Sequence, residues 1–189
     1  AIAAYTMLGG QPVYPPFDGL LFTSNVYGPL SFAVNGLMLW LFGASIAVSK
    51  FSGLISTVAV LVVTALAYRR AGWQILGFAV SAVGAFILLN LPFSIWNRPD
   101  PMLMLCSALG VLVIRSEIAE KRIYVAALLL GILGAASCSL KIFGGIYVAP
   151  LAMFLVVRER SFAALFVMAA VGLTLVFVPF TLPVFSLGN

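Results

Sequence analysis

The chain of 189 residues contains no histidine and few charged residues, which make up only 8% of it. The missing histidine excludes sites that depend on an imidazole, the commonest general base and metal ligand of proteins. The charged fraction is far below the roughly 25% of soluble domains, so the chain cannot cover a water-exposed surface. Apolar residues make up 63% of it, and this composition identifies an integral membrane protein.

Cysteine is almost as scarce, with Cys106 and Cys138 both placed inside apolar runs. Thiols in such runs are typical of small buried residues rather than of a disulfide, so they indicate no redox compartment. The sequence begins with Ala1 rather than Met, and no signal-peptide pattern stands at its start. We therefore expect it to follow a processing site or to be part of a longer chain.

Six apolar runs are predicted to cross the membrane as helices, because a bilayer core about 30 Å thick requires about 20 apolar residues per helix. These runs are Ile46–Tyr68, Ile75–Phe93, Met102–Ile114, Ile123–Ser139, Ile142–Val157 and Phe162–Phe180. The stretch Pro29–Phe42 is short, opens with proline and contains Asn35, which favours a helix in the membrane interface. The predicted architecture is an all-α polytopic transmembrane helix bundle. Its parts are an outer loop (1–28), a juxtamembrane interfacial helix (29–43) and a single six-span domain (44–189).

The basic residues predict the orientation, because loops on the cytoplasmic side carry the excess of Lys and Arg. If both ends of the sequence lie outside, most of the ten basic residues fall in inner loops: Arg69, Arg70, Arg115, Lys121, Arg122, Arg158 and Arg160. Lys50, Arg98 and Lys141 fall outside. Since these residues flank apolar runs, they indicate membrane topology and no nucleic-acid partner. We expect a plasma (inner) membrane protein with both ends on the non-cytoplasmic side.

Two of the predicted helices are too short for a full hydrocarbon core. The run between Asp100 and Arg115 spans only about 21 Å as a helix, and the run between Lys141 and Arg158 is similar. Either the bilayer is locally thinned, or Asp100 and Lys141 lie recessed in a wet cavity. Asp100 also suits a helix N-cap, and Lys141 a side chain that snorkels to the interface. A cavity that holds Arg98 as well suits a phosphate-bearing ligand, because Arg gives bidentate contacts and Lys a point charge.

The stretch before the first span carries the most distinctive pattern, MLGGQPVYPPFDGLLFTSNVYGPLSFAVNGLMLWLFG. Residues 27–29 open the interfacial helix, which ends in Phe-Gly at residues 42–43. A later span ends in Ala-Tyr-Arg-Arg at residues 67–70, an Arg-Pro-Asp-Pro turn occupies residues 98–101, and Lys141 follows a glycine-containing helix. In this order the motifs resemble polytopic glycosyltransferases of the GT-C fold. That superfamily includes protein O-mannosyltransferases and the lipid A aminoarabinose transferase.

The resemblance implies a hexosyl- or pentosyl-transferase that takes a sugar from a polyprenyl-phosphate carrier and passes it to an acceptor at the outer face. It implies that Tyr27 forms part of the substrate entrance, that Asp100 is the second outer acidic residue, and that Arg98 and Lys141 contact phosphate or sugar. The family's principal carboxylate activates the acceptor or binds a divalent metal ion. It follows the first transmembrane helix and would lie before Ala1, so the catalytic residue of this chain is unknown, no metal ligand is assigned within it, and the chain is expected to be incomplete at both ends.

A non-catalytic subunit of a larger membrane complex is the alternative function, favoured by the lack of histidine and the short length. In that case the aromatic side chains of the last span face lipid or a partner subunit: Phe162, Phe166, Phe177 and Phe180. A transporter is less favoured, because no inverted repeat or pair of broken helices is recognisable. The predicted partners are the lipid bilayer, a polyprenyl-phosphate sugar and other membrane subunits.

Overall fold

The computed structural model describes residues 2–11, 13–14, 27–90 and 98–185. Within these ranges the fold is all-helical, and no β-strand is found. The α-helices are α1 (Ile2–Leu8), α2 (Pro29–Phe42), α3 (Phe51–Tyr68), α4 (Trp73–Leu89), α5 (Asp100–Arg115), α6 (Glu117–Lys121), α7 (Ile123–Leu140), α8 (Ala149–Glu159) and α9 (Phe162–Phe177).

The longer helices pack side by side in the order α9, α7, α5, α3 and α4, while α8 lies against α5, α7 and α9. The main core forms where α5, α7, α8 and α9 meet, around the fully buried side chains of Leu103, Leu130 and Leu155. At Gly131 of α7, a β-carbon would lie 2.9 Å from the main-chain oxygen of Met168 in α9. The missing side chain therefore allows α7 and α9 to approach closely, as small residues do between membrane helices.

Three helical segments are long enough and apolar enough to cross a membrane: Val48–Tyr68, Ile123–Leu140 and Phe162–Thr181. The first joins a 3-10 turn to α3, and the third joins α9 to another. They coincide closely with the first, fourth and sixth predicted spans. Half of the predicted crossings are confirmed in length and apolarity, and these three helices indicate a membrane protein.

The other three predicted crossings correspond to shorter helices, so a six-span bundle is not confirmed. Helix α4 ends at Leu89, with Asn90 as its C-cap residue, and residues 91–93 of its predicted span lie outside the described residues. Helix α8 has only 11 residues and begins at Ala149, not at Ile142 as predicted. The chain first makes a 3-10 turn at Gly144–Tyr147, and Pro150 then stands in the first turn of α8, where its missing N–H costs no hydrogen bond.

Helix α2 has the predicted bounds, because Pro29 begins it and Gly43, with φ of 86°, ends it. Its Asn35 is buried, and the side-chain oxygen accepts a hydrogen bond of 2.5 Å from Ser52 Oγ in α3. This contact accounts for an amide in an otherwise apolar helix. Inside the predicted outer loop the structure contains α1, which packs against α2. The location of α2 in a membrane interface stays a prediction.

The loops that carry most of the basic residues lie at the same end of the bundle. Arg70, after α3, is 2.9 Å from Glu117 of α6, and Arg158 of α8 donates a hydrogen bond of 3.2 Å to the carbonyl oxygen of Ile114. We call this the Arg115 end, after the last residue of α5, and the opposite one the Asp100 end, after its first residue. The side of the membrane that each end faces stays a prediction.

Candidate functional site

The four residues predicted to bind substrate all lie at the Asp100 end. Asp100 is the first residue of α5, and Arg98 stands two positions before it. Lys141 directly follows α7, and Tyr27 lies two positions before α2. Three chain segments that are distant in sequence therefore converge at one end of the bundle.

Asp100 and Lys141 form an ion pair, with 3.5 Å between Oδ1 and Nζ. About a third of each side chain is exposed, 36% for Asp100 and 35% for Lys141. Pairs this accessible to water contribute about 0–1 kcal/mol, so this one adds little to the stability of the fold. Asp100 does not cap its helix as the sequence suggested, since Pro99 is the N-cap residue and makes no side-chain cap. Its carboxylate nevertheless lies in the first turn, where the helix dipole stabilises it.

The main chain fixes the position of Lys141. Tyr27 and Lys141 pair as an isolated antiparallel β-bridge, and Gly28 N–H donates a hydrogen bond of 3.0 Å to Leu140 O. On the other side, Gly144 N–H donates a bond of 2.6 Å to Lys141 O. A β-carbon at Gly28 or Gly144 would overlap the main-chain carbonyls at the end of α7. Glycine is required at both positions because two chain segments approach the helix end closely.

Tyr27 contributes through its main chain, and its ring points into an apolar cluster. The ring packs against the buried side chains of Val13, Phe32 and Phe185. Its carbonyl oxygen also accepts a hydrogen bond of 3.1 Å from the hydroxyl of Tyr14. Burial raises the pKa of Tyr14 to about 12, so this hydroxyl stays protonated as a donor at physiological pH. Tyr27 therefore anchors the turn at Lys141.

Arg98 and Asp100 line a cavity of about 290 Å³ at this end. Its other walls come from the end of α4, with Phe86 and Asn90, and from Tyr147 before α8. Among the described residues that line the cavity, neither Lys141 nor Tyr27 is present. Lys141 is connected to the cavity through its ion pair with Asp100.

A second, largely apolar cavity of about 580 Å³ continues from the first between α3, α4 and α5. Met104 and Tyr147 line both cavities, so the two are adjacent. Below Met104, α5 contributes Ala108 and Val111 at spacings of one helical turn, and α4 contributes Ala82. We call this second cavity the apolar groove. It starts at the charged cavity and follows α5 for about 10 Å toward the Arg115 end.

Sequence reasoning missed Asn90, Met104 and Tyr147. Asn90 could have been noticed as a polar residue at the end of an apolar run, whereas Met104 and Tyr147 look like ordinary apolar positions. In the structure Tyr147 lies beside α5. Ser107 Oγ of that helix donates a hydrogen bond of 3.1 Å to Leu103 O and a longer one of 3.4 Å to Tyr147 O. That contact depends on tertiary packing and has no local sequence signal.

No cluster of three or more His, Cys, Asp or Glu side chains suited to a metal ion occurs within the part of the chain that the structure describes. At the Asp100 end, the described acidic side chain is Asp100, and it is paired with Lys141. These residues offer a guanidinium, an ammonium and a carboxylate. Chemically, such a set binds a phosphate group and hydroxyl groups of a sugar.

Comparisons of the chain with protein-family models, with curated proteins and with solved structures found no match. The resemblance to GT-C glycosyltransferases therefore stays a prediction from the motifs. A proposal for the function therefore depends on the geometry at the Asp100 end.

Proposed function

We propose that this chain is a membrane glycosyltransferase, or the carrier-binding part of one, that uses a polyprenyl-phosphate-linked sugar. The observation that carries the proposal is the junction of a charged cavity with the apolar groove at Met104 and Tyr147. A ligand that fills both must combine an anionic or polar head with a hydrocarbon chain. A lipid-linked sugar phosphate has this construction.

The charged residues suit the head of such a ligand. Arg98 lines the cavity, and a guanidinium binds a phosphate group through two parallel hydrogen bonds. Asp100 can accept hydrogen bonds from sugar hydroxyls, because an ionised carboxylate offers only acceptors. Lys141 compensates the charge of Asp100 and reduces its repulsion of the phosphate. In a transfer reaction these cations would stabilise the phosphate leaving group.

The apolar groove suits the chain of the ligand. Its volume of about 580 Å³ falls within the range of roughly 300–1,000 Å³ that is usual for ligand sites. The small side chains of Ala82 and Ala108 leave the space between α4 and α5 open. Phe78 on α4 is 77% exposed, so this wall of the groove faces lipid and allows a chain to enter sideways from the bilayer.

Binding of farnesyl phosphate to the purified chain in nanodiscs tests the proposed site, with farnesol as the probe that lacks the phosphate. We expect Arg98→Gln to weaken farnesyl phosphate binding about tenfold, as lost charge-assisted hydrogen bonds do, and to leave farnesol unaffected. Ala82→Trp should weaken both probes, because the indole fills the groove. Lys50→Gln removes the same charge from an exposed position outside the site and is the matched control. Equal binding by Arg98→Gln and Lys50→Gln would remove the proposed head site.

Transfer of labelled sugar separates the enzyme from the accessory subunit. The alternative rests on the exposed aromatic side chains of α9, where Phe162 is 81% and Phe166 80% exposed, and where either lipid or another subunit fits. Membranes that contain the full-length protein should transfer sugar from a polyprenyl-phosphate donor, and Asp100→Asn should abolish this transfer. If the chain binds farnesyl phosphate, transfers no sugar and copurifies with a stoichiometric partner, the accessory function replaces the enzyme.

A further inference from the structure

A basic pocket lies at the Arg115 end of the bundle. It has a volume of about 230 Å³ and is placed between the end of α3 and the junction of α5 with α6. The polar side chains that line it are those of Arg69, Arg70, Arg115, Ser116 and Glu117. Three guanidinium groups therefore surround a small cavity that is about 22 Å along α5 from Asp100.

Arg115 is held rigidly in this pocket. Its Nε donates a hydrogen bond of 2.9 Å to the carbonyl oxygen of Ala67, and its guanidinium carbon lies 4.4 Å from the ring centroid of Tyr68. Such a cation–π contact further restricts the orientation of the Arg115 guanidinium. A guanidinium has five N–H donors, and this arrangement uses the Nε donor while the two terminal nitrogens remain for a ligand. A basic residue that only sets membrane topology needs no fixed geometry.

Glu117 does not neutralise the pocket. Its two carboxylate oxygens bind two different cations, Arg70 Nη1 at 2.9 Å and Lys121 Nζ at 2.8 Å. Arg69 and Arg115 add two further positive charges. The cluster keeps an excess of positive charge, with guanidinium groups arranged around one cavity. That arrangement matches a phosphate group, which guanidinium groups bind in bidentate fashion.

The rim of the pocket is apolar. Leu66 and Leu112 line it, and Leu66 is 44% exposed. Next to a basic cluster at the end of membrane helices, such side chains contact acyl chains. We propose that the pocket binds the phosphate of an anionic phospholipid from the adjacent leaflet, with the acyl chains along Leu66 and Leu112. This site lies at the opposite end of α5 from the carrier site and does not depend on the proposed function.

Lipid retention by the purified chain tests the proposal. The chain is reconstituted into nanodiscs of phosphatidylglycerol and phosphatidylcholine, and native mass spectrometry identifies the lipids that remain bound after transfer to detergent. The variant Arg69→Gln/Arg70→Gln removes two guanidinium groups from the pocket. The control Arg122→Gln/Arg160→Gln removes the same charge near this end, outside the pocket. We expect the bound ratio of phosphatidylglycerol to phosphatidylcholine to fall about tenfold in the first variant and to stay unchanged in the control.

Arg69→Gln alone keeps the test decisive if the double variant unfolds, because Arg69 makes no hydrogen bond or ion pair within the described ranges. It should lower the ratio by a smaller factor without changing the melting temperature. Equal lipid ratios in pocket and control variants would overturn the proposal, since overall charge would then account for any preference. Displacement of phosphatidylglycerol by equimolar inorganic phosphate would also overturn it, because the ligand would then be a soluble anion.

Discussion

The two ends of helix α5 position their charged side chains by different means. At the Asp100 end the main chain does this, because Gly28 and Gly144 allow two chain segments to bond to the end of α7. At the Arg115 end the side chains do it, since Arg70 pairs with Glu117 and Arg115 bonds to a helix-end carbonyl. Main-chain contacts of this kind leave no space for substitution, whereas exposed ion pairs are screened by solvent.

The difference predicts where the molecule tolerates change. The backbone of Lys141 is held by the β-bridge to Tyr27 and by the hydrogen bond from Gly144, so it keeps its position even when Asp100 is altered. At the Arg115 end the charges of Arg70, Glu117 and Lys121 depend on each other and on salt.

The largest loss of stability is expected for Gly144→Ala, which disturbs the main-chain contacts at the Asp100 end. The added β-carbon would overlap the carbonyl group of Ser137 in α7, so the turn after Lys141 has to move. We expect the variant to lose about 3 kcal/mol of stability, as overpacked cores do, and to bind farnesyl phosphate poorly. Thermal unfolding in detergent micelles and probe binding measure the two losses.

Gly84→Ala is the matched control for this variant. A β-carbon at Gly84 of α4 has no heavy atom within 4 Å, and alanine is a better helix former than glycine. The control should melt at or above the wild-type temperature and bind the probe normally. If both variants melt alike, the close approach of the chain at Gly144 is not what holds the turn.

A smaller loss of stability is expected when the contact between α2 and α3 is weakened by changing a side chain instead of the backbone. Ser52→Ala removes the donor of the 2.5 Å hydrogen bond to Asn35 and leaves a buried amide oxygen short of a partner. We expect a loss of about 1 kcal/mol, seen as a lower melting temperature. The double variant Asn35→Leu/Ser52→Ala removes both polar groups and should recover part of the loss. No recovery would mean that the two side chains act separately.

The sequence predicts much of the helical layout because composition and end signals are local. Three of the six predicted apolar runs are helices long enough to span a membrane, and α2 runs from Pro29 to Phe42 as proline and glycine at its ends indicate. The prediction that a helix begins at Ile142 was wrong, since an apolar run does not distinguish a 3-10 turn from the start of a helix. The close approach of Gly144 to α7, which enforces that turn, is a tertiary contact.

The candidate site was predictable in its charges and not in its shape. Helix length suggested that Asp100 and Lys141 lie at the same depth, and the structure places them 3.5 Å apart. The apolar groove has no counterpart in the sequence, because it depends on α4 packing chiefly against α3 and leaving space beside α5. Residues such as Met104 become part of a site only through that helix arrangement.

The smallest expected effect is at the exposed ion pairs of the Arg115 end. Hydrogen bonds from Lys121 and then from Arg70 lower the pKa of Glu117 below its ordinary value of 4.5. Because the pKa is depressed in the folded chain, the stabilisation is present above the ordinary value and is lost as the pH falls through the folded pKa. Wild type should therefore melt slightly higher than Glu117→Gln at neutral pH.

The difference in melting temperature between wild type and Glu117→Gln tests the contrast between the two ends of α5 when pH and salt are varied. It should disappear in acid, once Glu117 is protonated in the folded chain, and shrink at high salt because both partners are exposed. Glu120→Gln, on the same short helix, should show no such dependence on salt, since Glu120 forms no ion pair in the described ranges. An advantage that survives both acid and salt would place a fixed, solvent-shielded interaction at this end, and the contrast with the Asp100 end would then be wrong.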